Sequence, residues 1–332
     1  MVYIYKKKSG ERTYYYLRAS ERKEGKIVVK DIAYLGDNID QVRKKLESLP
    51  KYSQQIRKAY RTIHNFLESN RYMEKVKSLK LKKDTFLGER GLEIEAAKWH
   101  YNQEFKKSPE LTQKETFKNF IVEFAFNTAA IEGNTIKLVE ARRLLEEGKT
   151  PKDKDIREVY DLQNTERVLF HILNSKDEIN HEFIINIHKN LMQNIDVRTG
   201  YRNVDVRVIK ANFKATPAPY VKTDMNLLLN WYHENKNNLH PLVLASLFHH
   251  KFERIHPFMD GNGRAGRMLL NYILVKNNYP PLVIHTKKRT SYLDSLRVAD
   301  KCDLFKFEKE FYQKLIDFIS DEMIETYWNI FL

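Results

Sequence analysis

The sequence predicts a mainly α-helical protein that begins with a small antiparallel β-sheet. Three observations predict it. From about residue 50 onward, apolar residues recur at helical spacing through almost the whole chain. Before that point, segments rich in Tyr, Val and Ile are separated by the turn signals Ser9-Gly10 and Glu24-Gly25. Only two later stretches, 200–221 and 256–264, break the helical pattern.

The first three elements are strands over 2–6, 13–19 and 26–35, closing at Gly36. Asp40 suits the N-cap of a helix running to about Leu49, and Pro50 follows its end. Helical periodicity then predicts helices over 53–69, 92–107, 117–132, 135–147, 155–174, 180–193, 225–236, 241–255, 265–277 and 304–328. In 200–221, Val204, Val206 and Val208 alternate before Thr216-Pro217-Ala218-Pro219, a pattern that predicts a β-hairpin or flap on the helical body. The weakly patterned, Lys-rich segment 75–90 is the expected boundary. The reading is a basic β-sheet module over 1–50, a helical linker over 51–89, a main domain over 90–303 and a C-terminal helix over 304–332.

The chain has 332 residues and a formal charge of +14, with 42% hydrophobic and 31% charged residues, the profile of an ordinary globular protein. The single cysteine, Cys302, excludes a disulfide scaffold, a thiolate zinc site and a Cys-x-x-Cys redox centre. No apolar run suits a signal peptide or a membrane span, so a reducing, cytoplasmic setting and no membrane partner are expected. The charge is uneven. Residues 1–90 hold 23 basic and 11 acidic side chains, and the remaining 35 and 33 nearly cancel. The basicity that suggests nucleic acid therefore belongs to one end.

Of only 11 glycines, Gly261, Gly263 and Gly266 fall within six residues. A glycine-poor chain that gathers glycine at one point needs unusual backbone geometry there. The spacing matches a dinucleotide fingerprint, but a helical pattern precedes it, and Thr286, Lys287 and Lys288 stand where that motif needs an acid. A P-loop fails as well, since no Gly-Lys-Ser/Thr follows. The loop instead joins two helices. Free N–H groups and the dipole at the start of the second helix, opening near Arg264, suit an anion. Arg264 and Arg267, three apart on one face, suit phosphate. Asp260 could hold Mg²⁺ beside phosphate oxygens, Asn262 could donate to a phosphoryl oxygen, and a neutral His256 could accept a proton from an attacking hydroxyl. The plain alternative is a polar interhelical turn.

His256-Pro-Phe-Met-Asp260-Gly-Asn262-Gly-Arg264-Ala-Gly-Arg267 resembles the full signature of the Fic (Fido) family of protein adenylyltransferases. His240-Pro241-Leu242 is similar to the helix before that motif, and Gly200-Tyr201-Arg202 with Thr216-Pro217-Ala218-Pro219 to the start of the family's flap. The resemblance covers roughly 90–303 and implies a Fic-type helical bundle. It implies transfer of AMP from ATP to a Ser, Thr or Tyr hydroxyl of a target protein. His256 would be the base and Asp260 would hold Mg²⁺. Gly261, Asn262, Gly263 and Arg264 would bind phosphate, and Arg267 the γ-phosphate. The flap around 212–216 would pin the target.

Thr128-Ala-Ala-Ile-Glu132-Gly133 ends an apolar helix. A carboxylate in a last helical turn faces the negative dipole end, at a cost of roughly 0.3–1 kcal/mol. It is either solvated on a frayed end or paired with an arginine. The segment resembles the inhibitory motif of Fic proteins that carry inhibition in the same chain, N-terminal to the catalytic motif. The resemblance implies a Glu132–Arg267 pair that blocks productive ATP binding, and it is compatible with a second activity that removes AMP.

Tyr292-xx-Ser295-Leu296-xx-Ala299-Asp300 is similar to the family's nucleoside-side helix, which makes Tyr292 and Asp300 candidate nucleoside contacts. Tyr292 reads equally as core, and Asn271 reads equally as a site residue or helix packing. His249 and His250 lack a His-Glu-x-x-His pattern and read as packing or surface residues. Six tyrosines interleaved with cations in the N-terminal strands fit a solvated docking sheet better than a nucleic-acid surface, which stays open for residues 1–85. The sequence therefore reads as a self-inhibited adenylyltransferase. The alternative is a nucleic-acid-associated regulator that uses the fold to sense nucleotide. A homodimer is compatible with the resemblance.

Overall fold

The computed structural model describes all residues except 1, 11, 24, 80–83 and 208–213. Strands β1 (Val2–Ser9), β2 (Arg12–Lys23) and β3 (Lys26–Gly36) form an antiparallel meander in the order β1-β2-β3. Period-two alternation turns Val2, Ile4, Tyr15, Leu17 and Leu35 to one face, where all are buried. Helix α1 (Ile39–Glu47) covers that face with Ile39, Val42 and Leu46. Its N-cap is Asn38, whose side chain accepts from the Gln41 N–H. The expected cap Asp40 sits one residue inside the helix, where its charge still favours the dipole.

The predicted helix 53–69 is broken at Ala59 into α2 (Ser53–Lys58) and α3 (Tyr60–Ser78). The first half of α3 buries Ile63 and Leu67 against the sheet, and the second half buries Tyr72 and Val76 in the large core of the helical body. Two hydrophobic cores thus share one helix.

The body continues with α4 (Arg90–Gln103), α5 (Glu110–Glu132), α6 (Leu138–Glu147), α7 (Ile156–Asn174), α8 (His181–Leu191), α9 (Val221–Asn235), α10 (Pro241–Ile255), α11 (Asn262–Lys276), α12 (Arg289–Ala299) and α13 (Lys309–Ile330). Asp155 and Asn180 cap α7 and α8 by accepting backbone N–H groups. Periodicity alone did not separate α12, and its short span was indicated only by the family resemblance. Part of the flap expected over 200–221 lies outside the described residues. Its described flanks, 200–207 and 214–217, carry no strand.

Helices α10 and α11 occupy the centre. Every residue from Leu242 to Phe252 is buried, the pattern of a helix enclosed on all sides. Helix α13, within the C-terminal helix expected over 304–332, lies in the same core through Tyr312, Leu315, Ile316, Ile319, Met323 and Tyr327. The close approach of α10 and α11 depends on Gly266. A Cβ there would stand 2.5 Å from Glu253 Oε1 and 2.9 Å from His249 Nδ1.

Gly266→Ala should therefore destabilise the protein by about 1–3 kcal/mol, the cost of overpacking a closed core. That outweighs the gain of up to about 1 kcal/mol that alanine brings to a helix interior. Urea denaturation should show a lower midpoint. An unchanged or higher midpoint would contradict the close contact.

Candidate active site

The site is built on the turn that joins α10 to α11. His256 ends α10 in the left-handed region, with φ 53° and ψ 60°, while its N–H still bonds to Phe252 O at 3.0 Å. This conformation is costly for a residue with a Cβ, and Arg202 holds it. Arg202 Nε donates to His256 O at 2.8 Å, its backbone N–H to Pro257 O at 2.9 Å, and Nη1 to Val204 O at 2.9 Å. Nη2 reaches the carbonyls of Thr216 and Ile255. A buried guanidinium thus fastens the chain at Val204 and at Thr216 to the turn.

His256 Nδ1 lies 3.2 Å from Glu253 O. A carbonyl only accepts, so Nδ1 carries the proton and Nε2 keeps a lone pair. Burial lowers the imidazole pKa, and the Glu253 carbonyl opposes that shift only in part. His256 is therefore a neutral base with its basic nitrogen turned away from its own helix.

Beyond His256 the loop folds on itself. Asn262 Oδ1 accepts from Phe258 N–H at 2.8 Å and its Nδ2 donates to Phe258 O at 2.9 Å. The expectation that Asn262 presents its amide to phosphate is corrected. The side chain is buried and staples the turn, because the buried backbone groups of the six-residue loop 256–261 need partners. Phe258 stacks on His188 at 3.7 Å between centroids, and His188 Nε2 donates to Asp260 O at 2.9 Å. Of the three glycines only Gly261 has a positive φ, 77°. Gly263 and Gly266 are helical and serve close approach. Helix α11 opens at Asn262, two residues before the expected start, and among the described residues no side chain caps it.

The two arginines are held by different helices. Arg264 pairs with Asp161 of α7, and its Nη2 lies 3.5 Å from Asp260 Oδ1 and 3.5 Å from Met192 Sδ. Burial raises the Asp161 pKa, although Arg264 and Arg157 oppose it. Asp260 itself accepts from Gly261 N–H at 2.6 Å and pairs with Arg157, at the open side of the loop. Arg267 turns to α5. Its Nε donates to Thr128 Oγ1, and Nη2 donates to Thr128 O at 3.0 Å and Glu132 Oε1 at 2.7 Å. Burial works against the Arg267 charge, and the Glu132 carboxylate is the largest of the causes that hold its pKa above the ordinary value. Glu132 lies flat against the start of α11, and a Cβ on Gly263 would stand 2.2 Å from Glu132 Oε1. Gly133, at φ 109°, ends α5 immediately after it.

Beneath Arg267 lies a carboxyl that sequence reasoning missed. Burial pushes the Glu253 pKa up to about 8, so the side chain is largely neutral at pH 7. It adds no full negative charge under the loop. Asp161, Arg157, His188 and Glu253 carry no local sequence signal, since each acts through partners distant in sequence. Arg202 had one, its place in Gly200-Tyr201-Arg202.

The two nucleoside candidates are corrected. Tyr292 is 2% exposed, and its hydroxyl lies 2.6 Å from His249 Nε2. Asp300 Oδ1 lies 3.0 Å from His250 Nε2, and only 7% of its side chain is exposed. Both are spent on buried histidines, which makes His249 and His250 core residues. Asn271 bonds to Leu282 on both its N–H and C=O, so it anchors the segment that follows α11.

A sequence profile described as the Fic/DOC family matches residues 178–274. The protein named protein adenylyltransferase fic-1 of Caenorhabditis elegans is 33% identical over 190 residues, covering 55% of this chain and 37% of that protein. Protein adenylyltransferase Fic of Aedes aegypti is 30% identical over 205 residues, covering 58% and 40%. The chain thus spans less than half the length of these curated relatives. A Fic domain-containing signaling protein from Bacteroides thetaiotaomicron shares the fold, with a TM-score of 0.65 at 23% identity over 70% of this chain and 94% of that one. A Fic-1 fragment from C. elegans does so at 0.58 and 22%, over 87% and 76%. The matched segment runs from α8 through His256 to both loop arginines, and over it the chain is similar to the Fic/DOC family.

Proposed function

We propose that the chain is a protein adenylyltransferase restrained by its own α5. The observation that carries this reading is a neutral imidazole, with Nε2 unbonded among the described residues, beside a helix start without a side-chain cap whose buried arginine is held by a carboxylate. The names of the relatives support the same reaction class.

The chemistry follows from the groups present. ATP brings its phosphates to the start of α11, where the N–H groups from Asn262 to Arg264 and the helix dipole favour negative charge, while that of Gly261 is held by Asp260. His256 Nε2 takes the proton of a Ser, Thr or Tyr hydroxyl. The oxygen attacks the α-phosphorus, and the bond to the β-phosphate oxygen breaks. Pyrophosphate leaves, and AMP stays on the target. Arg264 and Arg267 offset the charge of the phosphates, with Arg267 on the γ-phosphate side. The chain at Val204 and at Thr216, fastened by Arg202, lies beside the base and suits the target segment.

Asp260 suits Mg²⁺, because it is a hard oxygen donor at the open side of the loop with 39% of its side chain exposed, and its Oδ2 partner Arg157 is exposed too. Bound there, the ion would neutralise charge on the leaving pyrophosphate. Among the described residues, the one cluster with metal-ligand spacing is His285, Glu322 and Glu325. Lys287 and Lys288 already pair with its carboxylates, so it is an ion-pair network of the core edge.

Glu132 supplies the restraint. Its carboxylate holds the arginine that a γ-phosphate needs, so the two anions compete for one guanidinium. A charge-assisted hydrogen bond contributes roughly 1.5–3 kcal/mol, so Glu132→Gly should raise auto-modification by labelled ATP about tenfold or more. The idea fails if this variant binds ATP yet stays as silent as the wild type. Adding His256→Ala to the same variant should abolish transfer and leave ATP binding largely intact. Transfer that survives His256→Ala would remove the imidazole from the reaction.

The pH dependence has a definite sign. The His256 pKa lies below the ordinary histidine value, so the base stays neutral at and somewhat below pH 6.5. Glu132 raises that pKa, and its removal moves it further down. In Glu132→Gly, kcat/KM should hold constant from neutral pH down to about 6.5 and fall only on the acid side of it. An acid limb centred above that value would overturn the assignment.

A further inference from the structure

The solvent-facing side of the N-terminal sheet takes no part in the loop chemistry. Strand register sets its side chains in rows. Tyr5, Tyr16 and Tyr34 form one row, Lys7 and Tyr14 a second, and Tyr3, Arg18 and Asp31 a third. Two irregularities in the β2–β3 pairing, between Tyr15 and Tyr16 and between Leu17 and Arg18, each leave an extra residue on β3. Those residues, Leu35 and Ile32, turn toward the core and leave Tyr34 in line with Tyr16. Five of the six sheet tyrosines therefore share the outer face, and only Tyr15 enters the core.

The outer rings form a continuous patch. Tyr16 and Tyr34 lie 5.4 Å apart between centroids, and Tyr14 and Tyr34 lie 6.4 Å apart. The Arg18 guanidinium sits 3.3 Å from the centre of the Tyr5 ring. Tyr34 is 48% exposed. Packing of the fold does not require these rings, because the core of this module is made by the opposite face with α1 and α3. By strand alternation Lys7, Arg12, Arg18 and Arg22 stand on the same side as these rings, and Asp31 there pairs with Arg18.

We propose that this face binds single-stranded nucleic acid. The tyrosine rings would stack on bases, and Lys7, Arg18 and the cations along the strand ends would meet phosphates. A single strand is the form that fits, because the faces of its bases are open, whereas in a duplex they are covered by their neighbours. Stacking on rings carries little base preference, so binding should tolerate sequence. The inference rests on the sheet alone and is independent of the transfer reaction.

The test is fluorescence anisotropy of the full chain with a labelled single strand of about 20 thymidines, long enough for one site of this type. A duplex of equal length serves as competitor. The single strand should bind at low salt, weaken as salt rises, and be displaced poorly by duplex. Tyr16→Ala combined with Tyr34→Ala should weaken binding about tenfold or more, while Tyr16→Phe with Tyr34→Phe keeps it, since the ring stacks without its hydroxyl. Lys7→Glu should weaken it without touching a buried residue. No binding at low salt would overturn the proposal. So would a duplex that binds as tightly, or an alanine variant that folds by circular dichroism and binds like the wild type.

Discussion

A guanidinium buried to 2% exposure cannot be left without partners, and the centre of this protein is arranged around that constraint at Arg267. Desolvating such an ion costs several kcal/mol before any partner is counted. Thr128 offers a hydroxyl and a carbonyl one turn before the end of α5, and Glu132 offers the charge at that end. Each compensates for the position of the other. Glu132 stands at the helix end where a carboxylate is least favoured, and the arginine removes that penalty. The carboxylate reaches α11 only because residue 263 has no Cβ. The same approach fixes where α5 lies against α11, so the register between two helices distant in sequence follows from one ion pair and one missing methyl group.

The second constraint is the sharp left-handed turn at His256. An α-helix would have continued and carried the imidazole into the core. The left-handed residue stops it, and the bonds from Arg202 to His256 O and Pro257 O keep it stopped. The price of that backbone conformation is met outside the loop, by a residue 54 positions earlier in the chain. With Nδ1 bound to the Glu253 carbonyl, the tautomer is set by the fold, and the basic nitrogen does not depend on a partner arriving. The neutral carboxyl of Glu253, one turn earlier, keeps a second full negative charge from this crowded place.

Features of local backbone geometry were legible in the sequence. The glycine cluster marked the loop, and the helix breaks around it followed from periodicity. Gly133 marked the end of α5, and alternation marked the strands. What resisted reading was the choice of partner. Asn262, Tyr292 and Asp300 are polar groups of the types that bind ligands, but in the fold they meet Phe258, His249 and His250 first. A buried polar side chain satisfied within the core and one aimed at a substrate have the same local sequence, and only the distant partner separates them. Asp161 and His188 escaped notice for the converse reason, since nothing beside them in the chain suggests the loop they support. The cap of α1 shows the same limit on a small scale. Asn38 and Asp40 are both good capping residues, and only the start of α1 at Ile39 shows that Asn38 is the one used.

The two cores give the uneven charge a physical meaning. A single core would have spread the basic residues around one surface. Here α3 is the element common to a sheet module and a helical body, and the surplus is divided between the strands and the helices α1 to α3 with the segment that follows them. The body holds 35 basic and 33 acidic side chains over residues 91–332, so it exerts no large net field on a polyanion approaching from solution. Its attraction for phosphate is short-ranged, made by the start of α11 and two arginines that are already paired. The sheet module is built on the other principle, with cations and partly exposed rings along its strands. A charge that is long-ranged at one end and local at the other suits a protein whose two parts recognise different kinds of anion. It also means that salt should act on them unequally, because screening weakens an exposed field far more than a buried pair.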